Sequence, residues 1–167
     1  MTAPRPHSRP TLPRVIAGVF LGGLLLALAV AFNGCHQDPP KPDREPGTVD
    51  VRLGSRTYRL WVAATENTRR YGLMKRESMP ADRGMIFVFS TQQPLTFWMK
   101  DTLIPLSIAF YSVDGRILKI LDMEPCKADP CPLYDPGVSY RGALEVNQGA
   151  FAGWGISEGD RLRITSP

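Results

Sequence analysis

Histidine is nearly missing from this chain: there are two, His7 and His36, both near the N-terminus. Everything after residue 36 therefore lacks an imidazole. That removes a Ser-His-Asp triad, a Cys-His nucleophile pair and any histidine-ligated zinc or iron site from the reactions the main body of the chain can support. Neither GxGxxG nor GxxxxGK[ST] occurs, so no nucleotide-binding loop is readable. No internal repeat is found, and no Lys/Arg block with interleaved aromatics that would serve a nucleic acid. What remains for chemistry is carboxylates, lysines, hydroxyls and three cysteines.

The net charge of +4 at first contradicts the last exclusion. Its location resolves the conflict. Three of the 20 basic residues, Arg5, Arg9 and Arg14, precede an apolar run, and no acid occurs before Asp38. Past Cys35 there are 17 basic and 16 acidic residues, a net charge of +1. The basicity belongs to the leader, and no nucleic-acid partner is expected.

From Val15 to Gln37 the chain carries no formal charge, and Val15–Phe32 is apolar. As a helix this segment would span about 35 Å, enough for a bilayer core of about 30 Å. A basic n-region, an apolar h-region and small residues behind it make up an export signal. Three fates are open: cleavage after Ala29-Val30-Ala31, retention as an anchor with the Arg-rich end in the cytoplasm, or lipidation of Cys35. Phe32-Asn33-Gly34-Cys35 resembles a bacterial lipobox in Gly34 and Cys35 and departs from it at Phe32 and Asn33. Lipidation is the favoured fate, and all three place the rest of the chain outside the cytoplasm, tethered or released. The expected organisation is a leader over 1–35, a proline-rich linker over 36–47 and one domain over 48–167.

Of three cysteines, Cys35 belongs to the leader. Cys126 and Cys131 remain, in a loop fenced by Pro125 and Pro132. In an oxidising compartment a disulfide is the default, closing a loop of about six residues and contributing about 2 kcal/mol. A reactive redox pair and a metal site are the alternatives, although two ligands fall short of the four that zinc takes. No cofactor or metal is expected.

The domain reads as many short strands with one or two short helices, a compact mainly-β or α+β, small barrel-like fold. Val49–Leu53 and Tyr58–Val62 alternate around Gly54-Ser55 as a hairpin. Thr65 caps a helix from Glu66 to about Lys75. Strands are expected over Met85–Phe89, Leu95–Met99, Leu106–Tyr111, Arg116–Leu121, Ala143–Val146 and Leu162–Ile164, with a helical turn over Gly149–Trp154. Glu145 lies inside an apolar strand, where an ionised carboxylate needs a partner; an ion pair, an acid/base role and a ligand contact are all open. Met74, Met79, Met85, Met99 and Met123 suit either an irregular core or a soft metal, and their Leu, Phe and Trp neighbours favour the core.

Three stretches carry a family likeness: Tyr71-Gly72-Leu73-Met74-Lys75-Arg76-Glu77-Ser78-Met79-Pro80, Arg83-Gly84-Met85-Ile86-Phe87-Val88-Phe89, and Phe97-Trp98-Met99-Lys100-Asp101-Thr102-Leu103-Ile104-Pro105-Leu106. With Asp114-Gly115-Arg116, Ala143-Leu144-Glu145-Val146 and Gly159-Asp160-Arg161, they resemble the family called Domain of Unknown Function 192 over about residues 50–164. The resemblance implies a small β-rich, barrel-like domain, often behind a signal or lipoprotein leader, and no particular activity. Asp101 stands where the family usually has Asn, and Ser107 where it often has Asp. The motifs direct attention to Gly72–Arg76 and Phe97–Leu106. Trp98 and Met99 fall on opposite sides of a strand, one toward the core; the other, with Lys100 and Thr102, either lines a groove or, the favoured reading, belongs to a strand end packed on a helix. The candidate ligand contacts are Gly72, Arg76, Trp98, Met99, Lys100, Asp101, Thr102 and Glu145. The expected function is a non-catalytic binding or accessory module for an unidentified ligand or envelope protein. The alternative is an extracytoplasmic hydrolase in which Lys100, Asp101 and Glu145 converge.

Overall fold

The structure, a computed structural model, describes residue 41 and residues 46–165. The leader, Cys35 and most of the linker, with the expectations attached to them, lie outside the described residues. In chain order the elements are β1 (Thr48–Leu53), β2 (Arg56–Ala63), α1 (Glu66–Tyr71), β3 (Gly84–Gln93), β4 (Phe97–Trp98), β5 (Leu106–Tyr111), β6 (Ile117–Met123), β7 (Leu133–Tyr134), β8 (Tyr140–Asn147), α2 (Ala150–Gly153) and β9 (Leu162–Ile164).

Seven strands form one sheet in the order β6-β5-β8-β3-β2-β1-β9, and β4 pairs with β7 separately. β1 and β2 are the hairpin around Gly54-Ser55. β2 and β3 run parallel, so the chain between them must cross over the sheet, and α1 lies on that crossover. The sheet curls until its outer strands approach. Arg116 bridges Arg161, the Ile117 amide donates to the Asp160 carbonyl at 2.7 Å, and the Leu162 amide donates to Gly115 at 2.9 Å. The result is a curled half-barrel.

The curl explains why the middle strands are apolar throughout. All six residues of β5 are buried, because both sheet faces are covered. Inside the curl, Ile86, Ala109, Leu144 and Val146 pack with residues from both edges, Ile117 and Leu162, and with Phe151 of α2. On the outer face Met85, Phe87, Ile108, Phe110 and Ala143 pack beneath Leu73, Met79 and Met99. Among the described residues the methionines are buried: Met74, Met79, Met85, Met99 and Met123 are 8% exposed or less. Two glycines permit the close approach of β8 to its neighbours. A Cβ on Gly84 would sit 2.3 Å from the Glu145 carbonyl oxygen, and one on Gly142 would sit 2.1 Å from the Tyr111 hydroxyl.

Three elements are shorter than the sequence suggests, the helical turn over Gly149–Trp154 by one residue at each end. α1 starts as expected: Thr65 accepts from the Thr68 amide, and Thr68 Oγ1 accepts from the Thr65 amide. It ends at Tyr71 rather than Lys75, because Gly72 turns at φ 51° while its N–H still reaches the Thr68 carbonyl. That turn sends Leu73 and Met74 into the interior. The strand expected over Leu95–Met99 contracts to β4, between Pro94 and a tight turn in which Asp101 has φ 53°. Its partner β7 is two residues long and gives no periodic signal.

Candidate functional site

Glu145 stands at the centre of the outer face. On β8 it lies opposite Met85 of β3 and Ile108 of β5. It is 4% exposed. Among the described residues no hydrogen bond or ion pair engages its carboxyl, although Arg69, Arg70, Tyr71 and Thr102 line the same small cavity. Burial pushes its carboxyl up to about 8, so at neutral pH it is mainly the protonated acid, a hydrogen-bond donor as well as an acceptor. Its side chain borders a small cavity of about 30 Å³, together with Gly72, Thr102, Arg70, Phe97 and Trp98.

A larger groove of about 370 Å³ adjoins it, and the two share Arg69, Arg70, Phe87, Phe97 and Trp98 as lining residues. Its volume falls in the range of about 300–1,000 Å³ usual for small-molecule sites. One wall comes from β3 through Phe89, another from Leu95 and the residues of β4, and the floor from Tyr140. The aromatic packing is edge-to-face and holds these walls in place: Phe97 meets Phe87 at 5.2 Å and Phe110 at 5.6 Å, while Phe110 meets Tyr140 at 4.8 Å. The Tyr140 hydroxyl donates to the Leu95 carbonyl at 2.9 Å, which ties the Leu95 segment to β8. Burial raises the Tyr140 phenol well above its ordinary value, so this donor stays protonated.

α1 supplies the charge. Arg69 is committed: its guanidinium donates to the Ala64 and Val88 carbonyls and lies 5.0 Å over the Phe89 ring. Arg70 is exposed, lines both cavities and meets no carboxylate among the described residues. Glu66 borders the outer groove and not the inner cavity.

The residues singled out in the sequence divide into groups. Gly72, Trp98, Thr102 and Glu145 come together at the groove and its inner cavity. Trp98 and Met99 do take opposite sides: Trp98 is 39% exposed and Met99 1%. Arg76 lies 3.9 Å over the Trp61 ring. Lys100 and Asp101 border a different cavity, of about 210 Å³, beside the Cys126–Cys131 loop. Lys100 pairs with Asp129 at 2.6 Å. Asp101 pairs with Lys75 at 2.9 Å, and its carbonyl accepts from the Lys75 amide at 2.8 Å. Both residues have positive φ, 62° at Lys75 and 53° at Asp101, a conformation that Asp and Asn tolerate better than most side chains. Lys100, Asp101 and Glu145 thus do not share a cleft, and the hydrolase expectation loses the convergence it required.

Cys126 and Cys131 are joined in a disulfide. Asp129 lies within 4.8 Å of both sulfurs, but bonded sulfurs offer no thiolate to a metal. Ser107 has a structural part: its hydroxyl donates to Asp122 and accepts from the Gly149 amide at 2.9 Å, joining β5, β6 and the start of α2. Sequence reasoning passed over Arg70, Phe89, Leu95 and Tyr140. The adjacent arginines in the last turn of α1 suit the negative end of a helix dipole, and nothing in their spacing marks a groove.

A small curled β domain with a ligand-sized groove beside a buried carboxyl is the class that the fold and site define. The chain belongs to the DUF192 family, described only as "Uncharacterized ACR", whose model matches residues 49–164. It is similar to a Sinorhizobium meliloti 1021 protein named as a candidate transcription regulator (31% identity, TM-score 0.68, covering 74% of this chain and 98% of that one). It is also similar to a Novosphingobium aromaticivorans DSM 12444 protein of unknown function (30% identity, TM-score 0.61, covering 70% and 83%). None of the curated proteins matches the chain.

Proposed function

We propose that the protein is an exported, membrane-tethered binding module that holds a small, largely apolar ligand in the groove beside Trp98 and performs no chemistry of its own. The observation that carries this reading is the groove: about 370 Å³, walled by packed aromatic rings and open to solvent. A non-catalytic role is supported by the ion pairing of Lys100 and Asp101 away from Glu145, which keeps these two from forming a cluster with that carboxyl. Export is supported by the basic and apolar leader and by the paired cysteines, which suit an oxidising compartment. The regulator name of the Sinorhizobium relative lends little to a DNA-binding reading for this chain, because its 17 basic and 16 acidic residues past Cys35 nearly cancel.

The chain has three tryptophans, so its indole N–H resonances report on three places. With the full-length chain in lipid nanodiscs, 4-phenylbutanamide should shift the Trp98 indole resonance, identified by its loss in Trp98→Phe, and leave that of Trp154 in place. Saturable shifts at Trp98 support the reading; no shift, or shifts only elsewhere, would sink it. For the tether, cells grown with a clickable fatty-acid analogue should label the wild type and not Cys35→Ser. An unlabelled wild type removes the lipid-anchored form.

A further inference from the structure

We infer that the groove selects a carboxylate-bearing apolar molecule, with the apolar body along Phe89, Leu95 and Trp98 and the carboxylate in the inner cavity between Arg70 and Glu145. This rests on the binding-module reading and names the ligand class for that same site.

Three observations converge on it. First, Glu145 is a polar side chain 4% exposed, with no protein partner among the described residues, and it borders a cavity. The carboxyl opens onto that cavity and is not sealed from it, so an occupant there can hydrogen-bond to it. Second, that cavity is about 30 Å³, the room of one water molecule or one carboxylate group. The body of the ligand must therefore lie in the adjoining groove, whose aromatic and aliphatic walls suit an apolar body. Third, the charge around the inner cavity is positive. Arg69 and Arg70 line it, and the carboxylate of Glu66 borders only the outer groove.

Those groups decide between ligand charges. Among the described residues, the ionisable groups beside Glu145 at the inner cavity are Arg69, Arg70 and Tyr71, all from α1. β3 presents Phe87, β4 presents Phe97 and Trp98, and the loop after β4 presents Thr102, none of them ionisable near neutrality. On the sheet, the neighbours Met85 and Ile108 carry no charge. An ammonium group would meet two guanidiniums. It would also require Glu145 to ionise against its burial. A carboxylate instead accepts a hydrogen bond from the protonated Glu145 and pairs with Arg70, whose guanidinium presents two parallel donors. No covalent step is involved, and Glu145 keeps its proton throughout.

The test uses the same indole titration on the full-length chain at pH 6.5, with three ligands that differ only at the end group: 4-phenylbutanoate, 4-phenylbutanamide and 4-phenylbutylamine. The carboxylate should bind at least tenfold more tightly than the amide, and the amine most weakly. Arg70→Gln, an exposed substitution that leaves the core untouched, should remove the preference for carboxylate over amide. Wild-type affinity for the carboxylate should fall as pH rises through about 8, where Glu145 loses its proton. Glu145→Gln, which keeps a donor, should remove that fall. Equal binding of carboxylate and amide, or preference for the amine, overturns the ligand class while leaving the groove as a binding site. If none of the three shifts Trp98, the binding reading fails and the inference fails with it. If Glu145→Gln does not fold, Arg70→Gln and the wild-type pH profile still decide the matter.

Discussion

Glu145→Gln should gain stability relative to the wild type as pH rises. In the unfolded chain the carboxyl titrates near its ordinary value of 4.5, whereas burial in the folded protein raises it to about 8. Below pH 4.5 the group is protonated in both states and its titration has no effect. Between the two values the unfolded chain releases a proton that the folded chain retains, so stability falls with pH. The slope is about 1.4 kcal/mol per pH unit. Over the interval of roughly 3.5 units the loss is about 5 kcal/mol, of which about 3 kcal/mol has accrued by pH 7. Above about pH 8 both states are ionised and the loss levels off. No solvent screening discounts the figure, because the side chain is 4% exposed. Glutamine has nearly the same shape and does not titrate. Whatever fixed amount its amide gains or loses in the cavity is independent of pH, and every other ionisable group is common to both proteins. Urea denaturation of wild type and Glu145→Gln at pH 5, 7 and 9, followed by tryptophan fluorescence, isolates the effect as the change in their difference. The variant should gain about 3 kcal/mol relative to wild type from pH 5 to pH 7, and more by pH 9. Parallel stability curves across that range would mean that Glu145 titrates normally and that water or a counter-charge reaches it, refuting both its buried state and its use as a donor.

Gly84→Ala should destabilise the fold by about 2 kcal/mol or more, because the new methyl would sit 2.3 Å from the Glu145 carbonyl oxygen in a backbone that cannot yield; unchanged urea midpoints would contradict the packing of β3 against β8. Replacing both Cys126 and Cys131 by Ser should lower stability by about 2 kcal/mol through the freed six-residue loop, read as a fall in Tm that reductant reproduces in the wild type. Asp101→Asn should cost under about 1 kcal/mol, since Asn adopts positive φ readily and only a half-exposed pair with Lys75 is lost. Asp101→Val should cost more than Asp101→Asn, because a branched side chain resists φ 53°; equal Tm values for the two would argue against the turn as described.

Much of the fold was legible because local rules and tertiary packing agree in it. β5 runs over Leu106–Tyr111 and β9 over Leu162–Ile164, as their apolar runs and flanking turns indicate. The β1–β2 hairpin forms where Gly54-Ser55 breaks two alternating stretches. Errors occur where a neighbour in space overrides the local pattern. Tyr71-Gly72-Leu73-Met74 keeps helical spacing of its apolar residues, yet Gly72 turns the chain so that Leu73 and Met74 enter the core from outside a helix. Leu95 and Thr96 have strand-like neighbours but pair with no strand among the described residues, since β7 offers only Leu133 and Tyr134. Pairing between strands far apart in sequence decides both outcomes, and no window of ten residues contains it.

The site was less legible than the fold, for a reason that Glu145 makes plain. An acid among Ala143, Leu144 and Val146 declares that something must meet it, and period-two alternation predicts that it shares a face with Ala143 rather than with Leu144. Alternation does not say what covers that face. The curl of the sheet decides it: Leu144 and Val146 point inside with residues from both sheet edges, which leaves Glu145 on the outer face, where among the described residues the β2–β3 crossover and the β4 segment cover it. Those two coverings are the stretches in which the family motifs lie, around Gly72 and around Trp98, and they meet through the Lys75–Asp101 contact. The motif residues therefore contribute in two ways. Lys75, Met99 and Asp101 hold the cover in place, while Gly72, Trp98 and Thr102 line the opening it leaves above a carboxyl. A substitution in the first group should act on stability before it acts on binding, and one at Trp98 should do the reverse, because Trp98 borders the groove and remains 39% exposed.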